Sequence, residues 1–209
     1  NLNSYYYAKV MNEQWTKAFG NDYVLFERSA TAGSQYFVGN FQGDQKSTYA
    51  GYAAALYDLI SRGAGGFNLY GNDIGGLGGT PSNDLWNRWV SFSVFQPYMR
   101  QHGSDIHLPW TDRSLNANKG FTAETMFGKY YYLRKNLVPS IMSAAMDANK
   151  TSNPIVKGMM MAYPYQIALG SVNNQYLFCD DFLVCCDQRQ VCVKCRCFFI
   201  IITCTDLCD

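Results

Sequence analysis

Cysteine is absent from the first 178 residues, and all eight cysteines fall between Cys179 and Cys208. The chain also lacks any apolar run of about 18 residues, so the sequence predicts no membrane-spanning helix. The net charge is only +1, which gives no electrostatic basis for binding nucleic acid or an anionic membrane surface. We therefore expect neither nucleic acid nor a membrane among the partners.

The N-terminal stretch NLNSYYYAKV has no initiator methionine and no signal-peptide pattern. The chain therefore begins as if within a longer protein, and we expect a fragment.

Aromatic residues are what the chain has in abundance, with 16 Tyr, 13 Phe and 4 Trp among 209 residues. Together with an apolar share of 48%, this suffices for the core of one large domain. Aromatic side chains also line sites that bind sugars or bases.

Short apolar stretches alternate with helical ones along the first 150 residues. Residues 23–30 (YVLFERSA) and 65–73 (GGFNLYGND) predict buried strands. Helices are predicted over residues 4–19, from an N-cap at Ser47 to Gly63, around residues 85–92, and over residues 122–148 with a kink at Pro139. The alternation predicts an α/β fold with a parallel sheet. At most four strand–helix units fit, whereas a full (β/α)8 barrel takes roughly 250 residues.

Polar residues follow the predicted strands at the positions where α/β barrels build active sites. They are Arg28, Asp44, Asp73 and His102, and the aromatic Phe41 precedes Asp44 by three residues. Each also has a structural interpretation. The Gly-Asp-Gln segment around Asp44 is typical of a turn, and Arg28 suits a buried ion pair. Asp73 can cap a loop, and His102 can be a core residue.

Five linked segments, LFERSATAGSQ, GNFQGDQKSTYAG, GFNLYGNDIGG, NRWVSFSVFQPYMRQHG and LPW, resemble glycoside hydrolase family 31. The similarity covers residues from about 4 to 184. The resemblance implies the second half of a (β/α)8 TIM barrel, about strands 5–8, followed by the start of a β-sandwich domain. It also implies retaining hydrolysis of α-glycosidic bonds by two aspartates.

The resemblance assigns roles to the same residues. Asp44 falls on the family's acid/base and Arg28 on the arginine of its Arg-Ser motif; both are expected to be catalytic. Phe41, Asp73 and His102 are expected to bind the sugar, with Phe41 standing where the family often has tryptophan. We expect Phe41 to shield Asp44, because a catalytic acid must hold its proton near neutrality. No metal and no cofactor are expected, and IGGLGG does not match a phosphate-binding loop.

The family's nucleophile is not expected within the chain. VMNEQW (residues 10–15) places Val10 where the aspartate would stand, inside a predicted helix. We therefore expect the nucleophile upstream of Asn1 and little activity from this chain alone.

The expected function is that of an α-glycosidase of α-glucosidase type, with an α-glycoside as the partner molecule. The alternatives are a transglycosidase of the same fold and a noncatalytic carbohydrate-binding protein. The expected division is a barrel half over residues 1–150, a β-sandwich start over 151–184, and a cysteine-rich tail over 185–209 that departs from the family. A reading-frame or assembly error after about Val184 is our hypothesis for the tail; a zinc site and a disulfide framework are the alternatives.

Overall fold

A computed structural model describes residues 2–104, 107–110, 114–116, 121–186 and 202–203. The helices are α1 (Leu2–Phe19), α2 (Tyr49–Ala64), α3 (Asn83–Val94), α4 (Ala123–Thr151) and α5 (Met159–Ala162). The strands are β1 (Phe26–Glu27), β2 (Gly39–Phe41), β3 (Tyr70–Gly71), β4 (Ser114–Asn116), β5 (Phe121–Thr122), β6 (Val156–Gly158), β7 (Gln175–Phe178), β8 (Phe182–Cys185) and β9 (Ile202–Thr203). Short 3-10 turns lie at Ser34–Tyr36 and Ile167–Ser171.

The first sheet is parallel, as the sequence predicts, with strand order β1-β2-β3. A fourth segment joins it through a parallel bridge between Asp73 and Arg100 and through a hydrogen bond from Tyr98 N to Tyr70 O at 3.2 Å. Helices α2 and α3 connect successive parallel segments, which gives the α/β organisation expected from the sequence.

The strands are shorter than predicted. Within residues 23–30 only Phe26–Glu27 is extended and paired, and both residues are half-buried because β1 is an edge strand of this sheet. Within residues 65–73 only Tyr70–Gly71 forms a strand, and it is fully buried.

The start of α2 differs by one residue from the prediction. The N-cap is Thr48, whose Oγ1 accepts a hydrogen bond from Gly51 N at 3.1 Å. Ser47 instead donates its hydroxyl to Gly79 O at 2.7 Å, which ties the start of α2 to the loop after β3. The helix also continues past Gly63 and ends at Ala64.

The core extends from the parallel sheet through α2 and α3 to α4 and the antiparallel sheet. Tyr52 of α2 packs against Trp89 and Phe92 of α3, with ring centres 5.4 and 5.5 Å apart. Trp89 Nε1 also donates to Asn72 Oδ1 at 2.8 Å, directly before Asp73. The core therefore fixes the chain at the end of β3.

A second, antiparallel sheet has the order β6-β7-β8-β9 and follows the long helix α4, which continues past Pro139. Arg134 of α4 donates to the carbonyls of Val94 and Pro97 at 2.7 Å each, and also to that of Gln96. Tyr176 of β7 donates its hydroxyl to Phe95 O at 2.8 Å. Side chains of α4 and β7 thus hold four consecutive carbonyls that lead into the Arg100 segment.

Most of the cysteine-rich tail, residues 187–201 and 204–209, lies outside the described residues. The first two residues of the predicted tail pack with the antiparallel sheet, because β8 includes Cys185 and Cys186 is buried in the core. Among the described side chains no group of three could hold a metal ion. No described helix has the length and apolarity that a membrane crossing requires.

Candidate active site

The predicted site residues meet at the carboxyl end of the parallel sheet. Arg28 directly follows β1, Asp44 comes three residues after β2, and Asp73 comes two residues after β3. The pairings Glu27 with Asn40 and Phe41 with Gly71 set the three strand ends level with one another. The parallel register therefore gathers residues that are up to 45 positions apart, as 73 − 28 shows.

Arg28 and Asp44 form an ion pair, with Nη2 3.0 Å from Oδ1. Both side chains are half-exposed, at 54% and 51%. A Cβ added at Gly43 would lie 3.4 Å from Arg28 Nη2, so the glycine before Asp44 lies under the guanidinium. An ion pair this exposed contributes at most about 1 kcal/mol to stability, so its effect is to orient the carboxylate.

Phe41 does not enclose Asp44 as we expected. Its ring stacks on Phe26 with centres 4.9 Å apart, and the Arg100 guanidinium lies 3.9 Å from its centre. Asp44 stays half-exposed beside this stack. The expectation that Phe41 shields Asp44 was therefore wrong for this structure, because the Phe41 ring packs against Phe26 and Arg100 instead.

Asp73 is the buried carboxylate of the site, with 3% exposure. Arg100 Nε lies 3.0 Å from its Oδ1 as an ion pair without hydrogen-bond geometry, and within the part of the chain that the structure describes this oxygen has no hydrogen-bond partner. Burial raises the pKa of Asp73, and the charges of Arg100 and His102 oppose that effect. The negative charge of Asp44 adds to the rise in the Asp73 pKa.

Arg100 is a site residue that the sequence reasoning missed. It contacts both Asp73 and Phe41, which are two of the predicted residues. The available signal was the MRQHG segment, where Arg100 stands two positions before the histidine that we singled out.

Tyr98 forms a support beneath the aromatic stack and was also missed. Its ring meets Phe26 edge-on, with centres 4.5 Å apart. A Cβ at Gly39 would lie 2.5 Å from Tyr98 Oη, and one at Gly71 would lie 2.6 Å from Tyr98 O. Glycine in β2 and β3 therefore makes room for Tyr98.

His102 is exposed, so the core-histidine interpretation does not hold for it. The buried histidine is His107, with 3% exposure and its Nε2 3.5 Å from Ser47 Oγ. Both histidines lower the pKa of Asp73 through their charges. The structure therefore brings two histidines near the site where the sequence predicted one.

These features define an α/β protein with paired arginines and aspartates at the carboxyl ends of parallel strands. The sequence profile described as "Glycosyl hydrolases family 31 TIM-barrel domain" matches residues 1–144. An α-xylosidase of Emericella nidulans is 29% identical over 188 residues, which cover 88% of this chain and 23% of that enzyme.

Solved structures agree with the sequence comparison. The cycloalternan-forming enzyme of Listeria monocytogenes, in complex with a pentasaccharide substrate, superposes with a TM-score of 0.76 and 30% identity over 88% of this chain and 18% of its own. A family 31 dextranase of Flavobacterium johnsoniae, a mutant complexed with isomaltotriose, gives a TM-score of 0.80 and 25% identity over 92% of this chain and 24% of its own.

The chain belongs to glycosyl hydrolase family 31. It spans about a quarter or less of the length of the relatives described above.

Proposed function

We propose that this chain forms part of the catalytic domain of a retaining α-glycosidase that acts on α-glucosides or related α-glycosides. The observation that carries the proposal is the Arg28–Asp44 ion pair at the carboxyl ends of β1 and β2, with the buried Asp73 beside it. Family membership and the α-xylosidase similarity support the same class of reaction.

Asp44 is the proposed acid/base. A retaining glycosidase needs one carboxylic acid that protonates the leaving oxygen and later activates water, while a second carboxylate attacks the anomeric carbon. Asp44 has the exposure that contact with a leaving group requires, and Arg28 fixes the direction of its carboxylate. The attacking carboxylate is proposed to lie outside this chain.

Phe41, Asp73 and His102 are the proposed sugar-binding residues. Arg100 lies against the Phe41 ring, so the sugar would meet the two side chains together. Asp73 would accept a sugar hydroxyl through Oδ2, because Arg100 lies at Oδ1. The exposed His102 would provide a directional hydrogen bond at the rim.

The proposed architecture is the second half of a (β/α)8 barrel over residues 1–150, carrying about strands 5–8. Three parallel strands and the bridge at Arg100 support four such segments. Residues 151–184 would begin a β-sandwich domain, since β6, β7 and β8 are antiparallel. We propose that residues 185–209 form a tail that departs from the family.

A transglycosidase is the second candidate function. The similarity to a cycloalternan-forming enzyme favours it, and the chemistry differs only in whether water or a sugar hydroxyl attacks. Product analysis with and without added acceptor sugar separates the two.

The test is Asp44→Ala in the protein expressed at its full genomic length. Aryl α-glycosides with poor leaving groups should lose about 10²–10⁴-fold in kcat/KM, because they need protonation to depart. Glycosides of acidic phenols should still form the glycosyl-enzyme, which then accumulates. Azide needs no general base, so it should restore turnover and give the α-glycosyl azide.

The exposed Asp22, which lies in the turn after α1, provides the matched control. Asp22→Ala should leave both substrate classes unchanged. An equal loss for good and poor leaving groups in Asp44→Ala, with no effect of azide, would make Asp44 a turn residue and would end the proposal.

A further inference from the structure

A cavity of about 200 Å³ lies at the end of the parallel sheet opposite to the active site. Its walls come from residues that precede β2 and β3, from Asn40 within β2, and from the last turns of α4 with Ser152 just beyond them. Asp44 and Asp73 follow those same strands, and no active-site residue is among the described residues that line the cavity. The cavity therefore does not belong to the site described above.

The cavity contains buried hydrogen-bond acceptors without partners. Asn40 of β2 is 1% exposed, and its Nδ2 donates to Glu27 O at 3.2 Å. This bond fixes the amide, and its Oδ1 has no hydrogen-bond partner among the described residues. Asn68 also lines the cavity, and its buried Oδ1 likewise has none. An unpartnered buried amide oxygen is unfavourable, so a ligand that places a hydrogen-bond donor there is favoured.

The rest of the lining combines apolar surface with neutral polar groups. Phe67, Ala145 and Ala148 provide apolar contact, and Tyr36 at the rim is 83% exposed. Two further carboxamides and a serine complete the polar part, and none of the lining residues within the described part of the chain carries a charge.

This composition selects a class of ligand. The partnerless oxygens require donors, which excludes an anion. A divalent cation would find amide oxygens but no carboxylate to balance its charge. Neutral molecules that carry several hydroxyls on a compact ring match both the polar groups and the aromatic rim.

We infer that this cavity is a second carbohydrate site, which binds one sugar ring at the amino ends of β2 and β3. The inference is carried by the lining of the cavity and does not depend on catalysis by Asp44. A free monosaccharide and the terminal ring of a longer glycan offer the same chemistry.

The experiment follows backbone amide signals of the full chain by ¹H–¹⁵N NMR during titration with D-glucose, D-xylose, isomaltotriose or glycerol. The expected result is a saturable shift of residues 35–40, 66–69 and 145–152 with a sugar. A response to isomaltotriose that is at least as strong as that to glucose supports a glycan end; a response to the monosaccharides alone supports a free sugar. Absence of any saturable shift around the cavity, or an equal response to glycerol, overturns the inference.

Two variants on one helix provide the matched comparison. Ala145→Leu fills the cavity and should abolish the response, whereas Met146→Leu changes the adjacent, 59% exposed side chain that does not line it and should preserve the response. Asn68→Ala, at a partly exposed position, should weaken binding about tenfold while the spectrum stays folded. Asp44→Ala should leave the cavity response intact. Loss of the response in Asp44→Ala, or its survival in Ala145→Leu, overturns the inference.

Discussion

The Arg100 guanidinium lies 3.9 Å from the centre of the Phe41 ring. From the same position its Nε reaches the buried Asp73 carboxylate at 3.0 Å. One cation thus connects the end of β2 to the end of β3. A cation over an aromatic face contributes about 0.5–2 kcal/mol, and its partner carboxylate is almost fully out of water.

The two ion pairs of the site should differ in their effect on stability. Arg100→Met should lower the free energy of unfolding by about 3 kcal/mol, because it leaves the Asp73 charge buried without a partner. Arg28→Met should lower it by less than about 1 kcal/mol, because that pair is half-exposed. Urea unfolding of both variants provides the measurement, and equal losses would contradict this account.

The pKa of Asp73 predicts a pH dependence with a definite sign. Because burial raises this pKa above 3.8, the folded chain binds the proton more tightly than the unfolded chain does. The stabilising contribution of the protonated group is complete below pH 3.8 and is lost as pH rises through the raised pKa. In Asp73→Asn this loss should be absent, so the stability of the variant relative to wild type should increase with pH across this window.

Urea unfolding of wild type and Asp73→Asn at several acidic pH values tests this dependence. Asp58→Asn serves as the reference for a carboxylate that also pairs with an arginine but lies on the outer helix α2. A relative stability of Asp73→Asn that decreases as pH rises would show that the charged form is favoured by folding.

Gly39 and Gly71 should respond differently to removal of the Tyr98 ring. Gly39→Ala should cost about 2 kcal/mol, because its Cβ would meet the Tyr98 side chain, and most of this loss should disappear in a Tyr98→Ala background. Gly71→Ala should stay costly in that background, because its Cβ meets the Tyr98 backbone oxygen at 2.6 Å. A double-mutant cycle by thermal unfolding measures both couplings. Equal rescue of the two glycine variants would contradict the assigned contacts.

Arg134 should be a major stabilising residue. Burial lowers its pKa to about 10, so it remains a cation near neutrality and donates to three carbonyls at the end of α3. Arg134→Met should cost about 3 kcal/mol or more, since several buried carbonyls lose their donor. The adjacent exposed Lys135 supplies the control, and Lys135→Met should change stability by less than about 0.5 kcal/mol. Chemical unfolding measures the stability of both variants. A loss of unfolding free energy in Arg134→Met no larger than that in Lys135→Met would contradict this prediction.

The sequence predicted the α/β order of elements and the gathering of Arg28, Asp44 and Asp73, because parallel strands place the residues that follow them on one edge. It did not predict the pairing of charges. Asp44 and Asp73 both lie within three residues after a parallel strand and close to glycine, yet one is half-exposed and the other buried. That difference depends on Arg100, Tyr98 and Trp89, which come from later elements and meet the strand ends only in the folded chain.

The sequence also did not predict where each helix and strand begins and ends. Ser47 and Thr48 are both good N-caps by type, and the choice of Thr48 follows from the bond of Ser47 to the distant Gly79. The burial of Cys186 in the core was not predicted from the sequence either.

The contacts of Arg134 and Tyr176 with residues 94–97 bear on how such proteins can recombine. A crossover placed between α4 and the antiparallel sheet would exchange Tyr176 while keeping Phe95, and a donor sheet without a hydroxyl there would leave the Phe95 carbonyl without its bond. The same crossover would keep Arg134 and the Val94 and Pro97 carbonyls that it binds in one parent. Functional chimaeras between relatives should therefore inherit α3, α4 and β7 from one parent, so the unit that must be exchanged together includes parts of both the barrel-like region and the β6–β9 sheet.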